Sequence, residues 1–254
     1  MIEERARVLS NHPAGKNAHL LRLHAPSISG QTKPGQFVQV SCDPGKLLLR
    51  RPYSILDNRD GSVSLYVKRV GNGSNWLCER KQEEVLDLMG PLGNGFPLPP
   101  PGRHMLVGGG SGLASLGILC RLLAEAGGEV DVLMGFRTPE EIPGAVLDAF
   151  SRFCRSLTLV VEKGDFPVKG TAVDQVRQQN LEKYDEIYCC GPMGMLKALA
   201  PLLHGRGALV SLEARMGCGT GVCFGCTIPT RNGGKRVCLE GPVFCMDEVI
   251  WDEI

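Results

Sequence analysis

The segment His104-Met105-Leu106-Val107-Gly108-Gly109-Gly110-Ser111-Gly112-Leu113 passes from a short apolar strand, through a glycine turn, into a helix that runs to Ala126. The same rhythm repeats downstream. It predicts strands at Val130–Gly135, Leu157–Val161 and Glu186–Cys190, and helices at Pro143–Phe153, Val173–Asn180 and Met193–Leu203. Strands that alternate with helices pack as a parallel, doubly wound sheet, so residues 102–210 are expected to form an α/β domain. Ligands of such sheets bind beyond the carboxyl ends of the strands. Gly108, Gly110 and Gly112 after the first strand, and Gly191 and Pro192 after Cys190, therefore face one crevice. The glycine turn suits a phosphate at a helix N-terminus. A plain tight βα turn would use the same glycines, since the run is not a strict G-x-G-x-x-G.

Upstream the pattern is β. Gln36-Phe37-Val38-Gln39-Val40 and Ser62-Val63-Ser64-Leu65-Tyr66-Val67 alternate, with Asp60-Gly61 marking a turn. Val85-Leu86-Asp87-Leu88-Met89 leads into Gly90-Pro91-Leu92-Gly93-Asn94-Gly95. Several short strands separated by turn signals suggest a barrel or sandwich. Pro97, Pro99, Pro100 and Pro101 break regular structure and mark a boundary, which makes residues 1–98 a separate N-terminal domain, an antiparallel β-barrel or a sandwich. Residues 211–254, rich in Gly and Cys, form a third, small C-terminal unit.

The chain's 254 residues leave room for this plan, and a hydrophobic content of 43% supplies cores for it. A formal net charge of +1 gives no electrostatic attraction to nucleic acid or to an anionic membrane. Met1 to Arg7 carries two Glu and two Arg with no apolar core behind them, so no secretory signal is expected. Leu106 to Leu119, the most apolar stretch, is too short and glycine-rich to span a bilayer. These features read as a soluble, cytoplasmic protein.

Eleven cysteines are many for a compartment in which disulfides are rare. Cys42, Cys78, Cys120 and Cys154 stand alone, as small buried hydrophobes do. Five others fall between Cys218 and Cys245. Their spacing is Cys218-x4-Cys223-x2-Cys226, then x11 to Cys238, which has the start and the distant fourth ligand of a plant-type [2Fe–2S] loop. Gly217, Gly219, Gly221 and Gly225 let such a loop wrap tightly and aim backbone N–H groups at sulfur. Structural zinc is the alternative, but it takes two short ligand pairs, and Cys223 with Cys226 makes only one. Cys245 is either a spare thiol or a rival to Cys238 as fourth ligand.

A one-electron centre needs partners. Arg51-Pro52-Tyr53-Ser54 combines a cation for a pyrophosphate, a ring to lie against a flat cofactor and a hydroxyl. Lys68 precedes Gly71-x-Gly73-Ser74, a glycine turn able to bring N–H groups to phosphate. With Cys190-Gly191-Pro192-Met193, these pieces resemble the ferredoxin–NADP reductase superfamily, in which a flavin barrel precedes a nicotinamide domain. Glu213-Ala214-Arg215-Met216-Gly217-Cys218 through Cys223, and Val237-Cys238-Leu239-Glu240-Gly241-Pro242, are similar to one branch of it, the electron-transfer subunits of NAD-dependent dihydroorotate dehydrogenases. The likeness spans essentially the whole chain.

That resemblance implies that Arg51, Pro52, Tyr53 and Ser54 contact FAD, as do Tyr66, Val67, Lys68, Gly73 and Ser74. It places Cys190 near the nicotinamide of NAD(H), and Cys218, Cys223, Cys226 and Cys238 on the cluster. It implies an oxidoreductase subunit of pyrimidine biosynthesis whose partner is an FMN-containing dihydroorotate-oxidising subunit, two of each chain. Another NAD(P)H–ferredoxin, sulfide or sulfite-type reductase complex would share the module order. A non-catalytic iron–sulfur sensor is the reading from a different class. A pocket for the 2′-phosphate of NADP needs well-placed Arg or Lys, and Arg137, Lys163 and Lys169 are the candidates.

Overall fold

A computed structural model describes residues 1–254. Six antiparallel strands open the chain: β1 (Ile2–Pro13), β2 (Ala18–His24), β3 (Phe37–Val40), β4 (Arg51–Asp57), β5 (Ser62–Lys68) and β6 (Val85–Leu92). They close into a barrel in the order β1-β2-β5-β4-β3-β6. Side chains alternate across a strand, and this places Ala6, Val8, Leu21, Leu23, Val38, Val40, Val63, Leu65, Leu86 and Leu88 in one interior core. The alternating runs of the sequence become β3, β5 and β6. Two short helices interrupt the barrel, α1 (Pro26–Gln31) and α2 (Asn72–Cys78). The second stands where the sequence reads as a glycine turn. Ser74 Oγ accepts from the backbone N–H of Val70 (2.9 Å) and Gly71 (3.1 Å) and so ties down its first turn.

The second unit alternates strands and helices as expected: β7 (Arg103–Gly109), α3 (Leu113–Glu125), β8 (Glu129–Phe136), α4 (Gly144–Ser151), β9 (Ser156–Val161), α5 (Ala172–Arg177), β10 (Glu186–Cys190), α6 (Met193–Leu203) and β11 (Leu209–Ser211). These strands are mutually parallel in the order β11-β10-β7-β8-β9. Met105, Val107, Ile187 and Cys189 pack with Val173 and Val176 of α5 and Leu196 and Leu199 of α6. Leu106, Tyr188 and Cys190 point the other way, toward Leu116 and Leu119 of α3 and Val146 and Phe150 of α4. Both faces are covered, which is why these strands are near-continuous apolar runs.

The cysteine-rich unit contains a hairpin, β12 (Thr227–Thr230) with β13 (Gly233–Arg236), and a short strand β14 (Val243–Cys245). β14 leaves the hairpin and pairs antiparallel with β11, so the third unit contributes the edge strand of the second unit's sheet. The outer face of the barrel joins the same assembly. Phe37, Met89 and Leu92 share a core with Cys226, Ile228, Val237, Cys238 and Phe244. Asn94 donates its backbone N–H to Gly241 O (2.6 Å) and its side-chain amide to Leu239 O and Glu240 O (both 3.2 Å). All eleven cysteines are free, and no helix is long and apolar enough to cross a membrane.

Candidate functional site

Two cavities adjoin: one opens where the three units meet, and the other lies wholly on the barrel. The first, about 340 Å³, is lined from the barrel by Pro52, Tyr53, Ser54, Tyr66 and Lys68. Ser111 and Ala114 close it from the α/β unit, and Ser211, Glu213 and Met216 from the chain leading to the cysteine loop. The second, about 400 Å³, is lined by Arg51, Tyr53, Gly71, Gly73 and Ser74. Tyr53 and Val70 border both. One compartment has largely apolar walls that include the rings of Tyr53 and Tyr66. The other has a cation and a glycine-rich corner where a Cβ on Gly73 would lie 3.3 Å from Arg51 Cγ. A planar ring system joined to a pyrophosphate fits this pair of shapes. Burial raises the pKa of both Tyr53 and Tyr66, so their phenols stay neutral. Lys68 Nζ reaches Glu141 Oε2 at 3.3 Å and bridges the barrel to the α/β unit at the rim.

Val67 differs from its neighbours Tyr66 and Lys68 in having only its backbone available for a cofactor contact. Its side chain is fully buried in the barrel core and borders neither cavity, because alternation in β5 turns it away from Tyr66 and Lys68. The glycines of the α/β unit divide into two kinds. A Cβ on Gly108 would meet Met134 Sδ at 2.2 Å, and one on Gly112 would meet the Cys190 carbonyl at 2.5 Å. A Cβ on Gly191 would lie 2.5 Å from Met195 Cε, and one on Gly109 2.9 Å from Pro192 Cδ. These positions are small because backbone and core approach closely. Gly110 differs: its φ of +53° favours glycine, and only Lys68 Nζ, at 4.0 Å, comes near the position of a Cβ.

Cys190 is fully buried one layer behind the first cavity. Its thiol donates to Ser115 Oγ (3.4 Å), and Ser115 Oγ donates to Ser54 Oγ (3.1 Å), which lines the cavity. Burial, with the nearby negative charge of Glu213, pushes the Cys190 thiol up to about 12. It is therefore a neutral hydrogen-bonding group at physiological pH. Glu213 borders the open cleft, and the surrounding protein raises its carboxyl pKa. Ser115, Ser211 and Glu213 are site residues that the sequence reading did not single out. Ser211 and Glu213 flank Leu212 at the start of the cysteine unit, and that adjacency was the available signal.

The loop from Gly217 carries Cys218, Cys223 and Cys226, and Cys238 follows the hairpin that leaves it. Cys218 Sγ accepts from the N–H of Thr220 (3.4 Å) and Cys223 (3.5 Å), and Cys238 Sγ accepts from the N–H of Gly221 (3.1 Å). Burial opposes ionisation of Cys218, yet the N–H groups of Cys223 and Thr220 outweigh it and draw the thiol down to about 6. Cys238 moves the other way, to about 12, through burial and the neighbouring Cys226. Gly219 and Gly221 have φ of +74° and +85°, the left-handed backbone that turns these amides toward sulfur. No three His, Cys, Asp or Glu side chains converge as ligands of one ion. A two-iron cluster asks for four thiolates shared between two metals, and the sulfur-directed amides suit it. Cys245 lies opposite Leu209 in β14, and its backbone N–H donates to Glu248 Oε1 at 3.2 Å. Cys223 is exposed, with Val222, Phe224 and Leu239 exposed around it.

Residues 213–250 match the iron-sulfur cluster binding domain of dihydroorotate dehydrogenase B, and residues 5–96 match the oxidoreductase FAD-binding domain. The chain is 36% identical, over 97% of its own length and 98% of the relative's, to the dihydroorotate dehydrogenase B (NAD(+)) electron transfer subunit of Geobacillus thermodenitrificans (strain NG80-2). It belongs to this family. The family's protein from Shouchella clausii (strain KSM-K16) is 34% identical over 97% of each chain. Among solved structures, one of NADH-dependent reduced ferredoxin-NADP oxidoreductase superposes with a TM-score of 0.87 at 29% identity, covering 98% of this chain and 90% of that one.

Proposed function

We propose that this chain is the electron transfer subunit of an NAD-dependent dihydroorotate dehydrogenase in pyrimidine biosynthesis. Its cofactors in this reading are FAD and a [2Fe–2S] cluster, and its partner is an FMN-containing subunit that oxidises dihydroorotate. The observation that carries the proposal is the position of the first cavity. One wall belongs to the barrel, a second to the nicotinamide-side turn, and the third leads within a few residues into the cysteine loop. A flavin exchanges two electrons with a nicotinamide as hydride and single electrons with an iron–sulfur centre, so it belongs at such a junction.

In this reading residues 1–98 hold FAD, 102–210 hold NAD(H) and 211–254 hold the cluster. Tyr53 and Tyr66 flank the ring compartment, and Arg51, Gly73 and Ser74 border the compartment for the pyrophosphate. Ser54, oriented by Ser115 and Cys190, presents a hydroxyl to the ring. Gly110, free of packing constraint, leaves room for a nicotinamide beside Lys68. Cys218, Cys223, Cys226 and Cys238 ligate the cluster. The exposed collar of Val222, Phe224 and Leu239 around Cys223 is where the partner subunit docks, because apolar surface beside a redox centre excludes water and shortens the path for electrons. Seven thiols outside the proposed cluster, none in a disulfide, suit a reducing cytoplasm.

The test is the protein purified without air, with its absorption spectrum and its flavin, iron and sulfide content measured on one sample. One FAD, two iron and two sulfide per chain, with dye reduction by NADH faster than by NADPH, are expected from this reading. Bound zinc, or full FAD loading without NADH-driven dye reduction, would refute it. The likeness to the ferredoxin-NADP oxidoreductase favours a second reading, a subunit of an NAD(P)H–ferredoxin complex. Reconstitution with the dihydroorotate-oxidising subunit separates the two. Dihydroorotate-dependent NAD⁺ reduction supports the first, and its absence from an intact complex supports the second.

A further inference from the structure

Alternation in β3 sends Val38 and Val40 into the barrel core and turns Phe37 and Gln39 outward, toward the cysteine-rich unit. Gln39 is paired along the ladders with Pro52 of β4, in the flavin-side motif, and with Met89 of β6. Its side chain is completely buried, and neither Nε2 nor Oε1 has a hydrogen-bond partner in the protein. A buried primary amide with no bond made is rare, because folding strips its water and gives nothing back.

Its neighbour across the seam is the cysteine loop. A Cβ on Gly219 would lie 2.6 Å from Gln39 Nε2 and 2.7 Å from Gln39 Cγ. The amide therefore lies against the peptide that joins Cys218 to Thr220, and the glycine there is what admits it. Phe37 and Met89 beside it on the barrel face offer no partner of their own. Thiolate and sulfide sulfurs accept hydrogen bonds and cannot donate them, so they match the N–H groups of an amide.

We propose that Gln39 Nε2 donates a hydrogen bond to a cluster sulfur beside Cys218. This makes Gln39 a positioning residue that tunes the cluster from the flavin barrel. The inference rests on the assignment of a [2Fe–2S] cluster to this loop. An N–H aimed at sulfur stabilises the extra negative charge of the reduced cluster and so raises its potential.

Gln39→Leu keeps the volume and removes the donor. The expected result is a fully iron-loaded protein whose cluster potential, read by EPR-monitored titration, falls by about 59 mV, a tenfold change in a one-electron equilibrium. The flavin potential stays where it is. Gln39→Glu lowers the cluster potential further. Iron-replete Gln39→Leu with an unchanged cluster potential, and only a lower melting temperature, would overturn the proposal. A shift confined to the flavin would also overturn it, by assigning the amide to the ring.

If the variants do not retain iron, the wild-type holoprotein decides. With ¹⁵N placed only in glutamine side-chain amides, pulsed EPR of the reduced cluster should show a nitrogen coupling, and its absence refutes the contact. Wild-type protein without iron and sulfide would refute the cluster assignment instead.

Discussion

Gly117 lies in the middle of α3, where alanine is ordinarily favoured over glycine by about 1 kcal/mol. Gly117→Ala should nevertheless destabilise the protein. The new Cβ would lie 2.4 Å from Leu56 O and 2.7 Å from Leu56 Cδ1, whereas ordinary contact begins near 3.4 Å. The methyl of Leu56 can rotate away. The carbonyl cannot, because it belongs to β4 of a closed barrel, so α3 and the barrel must separate by about 1 Å. Overpacking of this kind costs about 1–3 kcal/mol. The movement also stretches the 3.1 Å bond between Ser115 and Ser54, a neutral hydrogen bond that contributes about 1 kcal/mol. Offset by the helix preference, the net loss is about 1–3 kcal/mol, and each kcal/mol lowers Tm by roughly 2–4 °C in a protein of this size. Thermal unfolding of the FAD-loaded protein measures it, and NADH–dye reduction should fall with it because Ser54 lines the cavity. Gly194→Ala is the control. Gly194 is also helical, has nothing within 4 Å of its Cβ position, and should leave Tm unchanged or slightly higher. A Gly117→Ala protein at or above the wild-type Tm, or an equal fall in Gly194→Ala, would show that α3 and the barrel are not in close contact here.

Cys238→Ser should lose iron and visible absorbance, whereas Cys245→Ser should keep both, and the reverse result would exchange their roles. Tyr53→Ala should weaken FAD binding roughly tenfold or more through loss of ring contact, as measured by fluorescence titration, and unchanged affinity would remove Tyr53 from the flavin site. Burial alone would raise the Asp131 carboxyl, but hydrogen bonds from Arg155, Ser156, Tyr184 and Arg103 hold it at about 2. Its folded pKa is depressed, so the stability it gives is present above the ordinary value of 3.8 and is lost as pH falls toward 2. Asp131→Asn should lower Tm at pH 7, and its difference from wild type should shrink between pH 4 and pH 2. A difference independent of pH would refute the linkage.

The strand–glycine–helix segment and the cysteine spacing were legible because each rests on a local rule. One is a period of hydrophobicity, the other a ligand spacing that the chain cannot vary freely. β1 was not legible in detail. It reads Glu-Glu-Arg-Ala-Arg-Val, and only Ala6 and Val8 mark the face that the closed barrel buries. The hairpin of β12 and β13 is hidden in the gap between Cys226 and Cys238, where Gly233 and Gly234 disguise a strand as a loop. The glycines of residues 108–112 suggest a phosphate turn, and the sequence does not show that Gly108 and Gly112 also answer to Met134 and to the Cys190 carbonyl, contacts made across the sheet. Gln39 gave no signal at all, since its meaning depends on a loop far along the chain folding onto its strand.

The antiparallel pairing of β14 with β11 has a consequence for how electrons leave. A redox module on a flexible tether can swing between donor and acceptor, and its throughput then follows the pace of that search. Here the module is stitched into the sheet of its neighbour by backbone hydrogen bonds and cannot pivot without tearing an edge strand away. The cysteine loop keeps one fixed separation from the flavin-side cavity. Traffic through the protein is set by distance and potential, as in soldered wire, and any moving contact in the circuit must be supplied by the partner.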